Sequence, residues 1–364
     1  MEEKRQITAI QTAAIIVSTI IGVGVLPLPL FAVRAGDSAA PLVTLLGMLL
    51  AICGLALIAW LGMRFPNQSI IQYSEAIIGK IPAWLGSLLI IVFFAVLTSL
   101  AAREFGEVVV TSVLKRTPVE VTVIVMLLLA AISTRKNITT FAYLHHFYFP
   151  LLLFPGILIV FLSLKNADVI NLQPAFTTGS PGIWAGVLTI AALFQGSFIL
   201  TMVIPAMRRP ERAMIASMGG LALAGGLYVA IVAAAVSVFG AEEIKKLLWP
   251  TLELAKATSL PANVLERLDA AFLAVWVTAV FTTLLSSHFL TVRATAHLFR
   301  MDDHKLFSFF LLPVVFVMAM LPQNIVQMYD IIEIVGRFGL SITILYPGLL
   351  LLISIFRKKR GDVS

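Results

Sequence analysis

Apolar residues in this chain come in long runs rather than in the strict alternation of a half-buried strand. About 20 apolar residues make a helix long enough to cross a bilayer. Ten runs reach or approach that length, over residues 7–33, 39–63, 84–113, 118–135, 140–164, 182–207, 213–239, 262–298, 304–322 and 328–356. The polar punctuation between them is short and leaves no room for a sizeable soluble domain. The predicted fold class is an all-α integral membrane protein with ten transmembrane helices, forming a single transmembrane domain over residues 1–364.

Two of the runs are interrupted. The first contains "STIIGVGVLPLP" (Ser18–Pro29), in which Gly22, Gly24, Pro27 and Pro29 weaken a helix. Broken backbone at membrane depth is tolerated only inside protein or beside a water-filled cavity, so a functional break is expected at Ile21–Val25. The sixth run is interrupted at Ala192–Phe198 and followed by Pro205. Amphipathic segments follow the second run (67–79) and the seventh (241–256), and the third and eighth runs are the long ones. The chain therefore divides into five-helix halves, 1–172 and 173–364. An odd number of spans per half makes the second half inverted. Interrupted helices at matching positions of two halves point to a transporter-type binding site. Freed N–H groups favour a carboxylate and freed carbonyls a cation or ammonium, so a zwitterion suits both. The candidate substrate-binding residues are Ile21, Gly22, Val23, Gly24, Phe194, Gln195, Gly196 and Ser197. The competing reading makes the glycines a helix-packing contact, Gln195 an interhelical hydrogen bond and Phe194 ordinary core.

Composition agrees with membrane burial: 60% of residues are hydrophobic, 12% are charged and mean hydropathy is +1.00, against about 45–50% and about 25% in soluble domains. The start, MEEKRQITAI, lacks a cleavage pattern and reads as a retained first helix. The single cysteine, Cys53, rules out an internal disulfide and argues against a thiol metal site. A net charge of +7 could suggest nucleic acid, but its distribution does not. With the N-terminus in the cytoplasm, most of the 26 lysines and arginines, the terminal Arg357–Arg360 run included, fall at cytoplasmic ends. Both termini are thus expected inside, with Arg357–Arg360 anchored at an anionic leaflet. No Cys–His pair, Ser–His–Asp set or phosphate loop is present, so neither an enzyme nor a metal or organic cofactor is expected. Intramembrane charges are costly. Arg34, Arg103, Glu104, Glu107, Glu333 and Arg337 are expected in the outer part of the membrane, either as gate charges or as pairs neutralised on their own helices.

The segment "WPTLELAKATSLPANVLERLDAAFLAVWVTAVF" (Trp249–Phe281) is more specific. It resembles the endospore-germination permease family, the B subunits of nutrient germinant receptors, as do "GVGVLPLP" and "LPQNIVQMYD" (Leu321–Asp330). The shared positions include Pro250, Glu253, Glu266, Arg267, Asp269 and Trp276. The resemblance implies membership of the amino acid–polyamine–organocation superfamily and a LeuT-type 5+5 inverted repeat with helices 1 and 6 broken at mid-membrane. It implies a small neutral L-amino acid such as alanine as ligand. The implied partners are germinant-receptor A and C subunits in the spore inner membrane. It places a possible sodium ion against Ser286 and Ser287, or proton coupling instead. His145 and His146 stand near the cytoplasmic start of the fifth helix and His288 lies on the eighth. Pro250, Glu253, Glu266, Arg267 and Asp269 would form an outer lid, or simply cap a helix start. Three functions fit: a sensor subunit, a sodium- or proton-coupled transporter working by alternating access, and a water or ion conduit in a receptor complex.

Overall fold

The computed structural model of the chain describes residues 6–174, 182–258, 268–301 and 303–361. These residues form helices and turns, with one isolated bridge between Ile7 and Met207 and no β-strand among them. In chain order the helices are α1 (Ala9–Ile20), α2 (Leu28–Gly36), α3 (Ala40–Arg64), α4 (Ile70–Ile78), α5 (Lys80–Ser112), α6 (Val119–Thr134), α7 (Ile138–Ser163), α8 (Ile183–Ala192), α9 (Leu200–Val203), α10 (Ala213–Phe239), α11 (Ala241–Ile244), α12 (Pro250–Ala257), α13 (Leu268–Leu298), α14 (Lys305–Phe310), α15 (Leu312–Ala319), α16 (Ile325–Leu340) and α17 (Tyr346–Phe356).

Among the described residues, six helical stretches are long and apolar enough to cross a membrane, and a seventh would be Ile183–Ala192 with Gln195–Ala206, bent by 43°. The segments Ala9–Ile20, Val119–Thr134 and Lys305–Ala319 are apolar but shorter. Each has a local reason for its length. α1 stops at the glycine-rich stretch, α6 lies between Pro118 and Arg135–Lys136, and α14 gives way to α15 at Leu311 just before Pro313. Several starts are self-capped. The Thr8 hydroxyl accepts from Gln11 N–H while Gln11 Oε1 accepts from Thr8 N–H at 2.9 Å, and Ser69 with Gln72 repeats the device at α4.

The long helices α5 and α13 lie side by side through the centre, and α1 packs against α7, α10 and α13. The outer surface is apolar: Phe147, Phe154 and Phe161 form one exposed stripe on α7, as expected of a lipid-facing surface. The first and last described residues lie at one end of the bundle. Ile7 N–H donates to Ala206 O, while Gly361 N–H donates to Arg64 O and Arg357 Nη1 to Ile77 O.

Gly79, between α4 and α5, sits at φ 89 and ψ 170, a conformation essentially restricted to glycine, with open space where a Cβ would go. Gly182 also faces open space but has φ −94. Gly79→Ala is expected to cost about 1–3 kcal/mol of stability, and Gly182→Ala close to nothing. Reversible denaturation of the detergent-solubilised variants measures both. Equal losses would contradict the backbone assignment.

Candidate ligand-binding site

The site begins where α1 ends. Ile21 turns to an extended conformation, Gly22 follows, Val23–Val25 form a short 3₁₀ turn, and α2 resumes at Leu28. Carbonyls normally paired along the helix lose their partners here, and hydrocarbon offers no water to replace them. Side chains from other helices supply the donors. Thr282 Oγ1–H donates to Ser18 O at 2.8 Å, Thr283 Oγ1–H to Thr19 O at 3.1 Å and Tyr228 Oη–H to Ile20 O at 2.6 Å. Trp276 Nε1–H donates to Gly22 O at 3.2 Å and Thr251 Oγ1–H to Val25 O at 2.6 Å. Gly22 has no room for a side chain, since a Cβ there would stand 1.9 Å from Thr283 Oγ1.

The second break faces the first. α8 ends at Ala192, and Gln195–Ile199 form a 3₁₀ turn before α9. Between the breaks lies a cavity of about 120 Å³, lined by Thr19, Val23, Gly24, Gln195 and Gly196, with Phe94, Leu97, Ala101 and Glu104 of α5, Ser286 and Ser287 of α13, and Ile332 and Gly336 of α16. It is near the ~150 Å³ of a cavity that admits benzene and well below the ~300–1,000 Å³ of drug-sized pockets. It has room only for a small molecule.

Two polar atoms of this mostly apolar wall stand out. Glu104 Oε1 and Gln195 Oε1 are buried without a hydrogen-bond partner. The Gln195 amide is oriented by its own Nε2–H, which donates to Gly336 O at 2.8 Å. Both orphans are acceptors. A buried, unpaired carboxylate in a membrane is costly, and a cationic donor entering the cavity would relieve it.

The expected site residues divide accordingly. Val23, Gly24, Gln195 and Gly196 line the cavity; Ile21, Gly22, Phe194 and Ser197 stand behind it. Phe194 is 1% exposed and packs on Tyr228, with ring centroids 5.4 Å apart, because the turn after α8 points its ring outward from the cavity into the α10 interface. Ser286 and Ser287 line the cavity, and Ser286 Oγ already lies 2.7 Å from Thr19 Oγ1 and 3.1 Å from His145 Nε2. His145 is wholly buried and also reaches Ser18 Oγ at 2.6 Å through Nδ1, tying α7 to α1 and α13. His288 reaches Ser308 O at 3.0 Å, away from the site.

The six charges form two separate groups among the described residues, apart from Glu104. Arg103 pairs with Glu107 at 2.7 Å on α5. Arg34 of α2 lies 3.7 Å from Glu333 of α16, which also pairs with Arg337 at 2.6 Å, and Arg337 Nε–H donates to the cavity residue Thr189 at 2.9 Å. Pro250 opens α12 and Glu253 pairs with Lys256 at 2.7 Å. Glu266, Arg267 and the Asp269 side chain lie outside the described residues. Sequence reasoning gave no role to Thr19, Thr251, Thr282, Thr283 or Tyr228. Their only signal is polarity on largely apolar helices, which does not say which carbonyl each hydroxyl reaches.

A family profile described as "Spore germination protein" matches residues 6–328. The chain belongs to this family. It is 27% identical over 361 residues to spore germination protein YndE of Bacillus subtilis (strain 168), covering 98% of each chain. It is 25% identical to spore germination protein B2 of the same organism, covering 99% of this chain and 98% of the relative. Among solved structures it shares its fold with Mhp1, a nucleobase-cation-symport-1 family transporter in a closed conformation with bromovinylhydantoin bound. The TM-score is 0.69 at 16% identity, covering 100% of this chain and 81% of Mhp1. A Na⁺-coupled sialic acid symporter in a substrate-bound outward-open state is similar at TM-score 0.69 and 13% identity, covering 97% and 80%. The sequence matches are spore germination proteins and the structural matches are transporters.

The donor set around the break makes a direct prediction. Trp276→Phe keeps an aromatic ring but removes the indole donor to Gly22 O, and should cost about 1–3 kcal/mol. Gly22→Ala forces Thr283 aside and should cost a similar ~1–3 kcal/mol from overpacking. Gly24→Ala, whose Cβ would meet only a Leu193 methyl at 3.2 Å, should cost less. Denaturation midpoints of the three variants test the order; a Gly24 variant worse than the Gly22 variant would refute the described break.

Proposed function

We propose that this member of the family is the ligand-binding membrane subunit of a spore nutrient germinant receptor, and that a small neutral L-amino acid such as alanine occupies the cavity between the two breaks. The observation that carries the reading is the pair of orphaned acceptors, Glu104 Oε1 and Gln195 Oε1, in a cavity of about 120 Å³. An α-ammonium supplies the donors they lack. The broken segments supply backbone for the α-carboxylate, and the apolar α5 wall takes a short side chain. In this reading the ten helical segments form a LeuT-type 5+5 inverted repeat, divided into 1–172 and 173–364, in the spore inner membrane with both termini cytoplasmic. Germinant-receptor A and C subunits are its partners. Arg34, Glu333 and Arg337 close the cavity from outside, where Arg337 already touches Thr189.

A second reading is a sodium- or proton-coupled transporter. The shared fold of the two symporters favours it, with Ser286 and Ser287 as the place for a coupling ion.

Calorimetry of the solubilised chain should show binding of L-alanine and none of propionate, which lacks the ammonium. Glu104→Gln should weaken L-alanine binding at least tenfold, about 1.4 kcal/mol. Equal affinity for propionate, or an unaffected Glu104 variant, would sink the ammonium assignment. Proteoliposomes then divide the two readings. Accumulation of labelled alanine under a sodium or proton gradient identifies a transporter, and binding without accumulation identifies a sensor.

A further inference from the structure

Beside the cavity α1 meets α13, and one buried imidazole from a third helix closes the contact. His145 of α7 is 0% exposed. Its Nδ1 lies 2.6 Å from Ser18 Oγ on α1 and its Nε2 lies 3.1 Å from Ser286 Oγ on α13, while Ser286 Oγ lies 2.7 Å from Thr19 Oγ1. The protons fall in one order. Ser18 Oγ–H donates to Ala14 O at 2.6 Å, so Ser18 Oγ accepts from His145 Nδ1–H. In a ring protonated at Nδ1 the other nitrogen is an acceptor. Nε2 therefore takes Ser286 Oγ–H, and Ser286 Oγ accepts from Thr19 Oγ1–H. Each side chain is satisfied by the next, and the series ends on a backbone carbonyl. Phe141 flanks the imidazole, with ring centroids 4.3 Å apart, and stacks on Phe289 at 4.5 Å.

Ser286 and Ser287 are the residues against which the family resemblance implies a sodium ion, and one symporter of this fold is Na⁺-coupled. A hard cation needs several oxygens whose lone pairs converge on it, and unwound carbonyls are the usual source in such folds. The oxygens of this contact are engaged otherwise. Ser18 O, Thr19 O and Ile20 O accept from the hydroxyls of Thr282, Thr283 and Tyr228. Thr19 Oγ1 and Ser286 Oγ bond to each other. Ser287 Oγ–H turns back to Thr283 O at 3.1 Å. The Ser287 lone pairs reach the cavity, but one hydroxyl is not a cation shell. The residues present do not fit sodium at this contact.

We propose that His145 is a positioning residue that does here what a bound cation would do, holding α1 to α13 through Ser18 and Ser286 with no sodium between them. Ser18 stands in the last turn of α1 and Ser286 lines the cavity, so the imidazole sets the spacing between the break and the cavity wall. The inference goes beyond the amino-acid reading and does not depend on it. It narrows the transporter alternative to coupling without sodium at Ser286 and Ser287.

The test uses the full chain in nanodiscs and reads the thermal unfolding midpoint. A bound cation stabilises the folded state by mass action. The midpoint in sodium chloride should equal that in choline chloride at matched ionic strength, and a rise specific to sodium overturns the proposal. The second arm is a double-mutant cycle of His145→Phe, which keeps a ring without its nitrogens, and Ser286→Ala. The double variant should lose clearly less than the sum of the two single losses, because the second change has no bond left to break. Additive losses would make His145 ordinary core and overturn the tie. His145→Leu takes its place in the cycle should His145→Phe not fold. L-alanine affinity should also be the same in the two salts. A chain that binds no L-alanine in either salt counts against the amino-acid reading alone, and the midpoints still decide this one.

Discussion

The structure depends on one requirement: every carbonyl released at the α1 break must find a donor inside the protein. Water is not at hand, and an unsatisfied amide in hydrocarbon costs several kcal/mol. The five side-chain donors to this stretch come from α10, α12 and α13. Those helices are thereby fixed in height and rotation relative to α1. Thr283 must come so near that only glycine fits opposite it. The cavity is the space left once these bonds are made, bounded by the second break and by the apolar face of α5.

The same requirement explains how α5 treats the three charges of its second half. Residues i and i+4 share a helix face, so Arg103 and Glu107 meet and neutralise each other. Glu104 is one position on, about 100° around the helix, and cannot join them. It turns inward instead, where no protein donor meets its Oε1. Adjacent residues of one cluster thus have opposite fates. The charges at Arg34, Glu333 and Arg337 link α2 to α16 without involving α5.

Much of this was legible beforehand. The glycines and prolines of Ser18–Pro29 located the first break, and the polar Gln195-Gly196-Ser197 step located the second, because such residues are out of place in a crossing helix. Local chemistry also marked helix starts, as at Thr8–Gln11. What stayed hidden were the partners across helices. Tyr228, Trp276 and Thr283 each cap a carbonyl hundreds of positions away in sequence, and nothing local encodes that. Glu104 looked like a member of an outer charge group because its neighbours in sequence are charged; only the rotation of α5 separates it from them. His145 looked interfacial near a helix start, yet it lies fully buried between α1 and α13. The family segment Trp249–Phe281 proved informative for a reason its pattern did not show, since Thr251 and Trp276 within it both hold the broken backbone.

The division of labour between the helices bears on how such chains diverge. Holding the break open falls to hydroxyls and an indole on α10, α12 and α13, while much of the apolar wall belongs to α5 and α16, at Leu97, Leu100, Ala101 and Ile332. Those four positions can drift in size without disturbing a single cap. A lineage can therefore reshape the cavity by a few substitutions on two helices and keep an inherited scaffold.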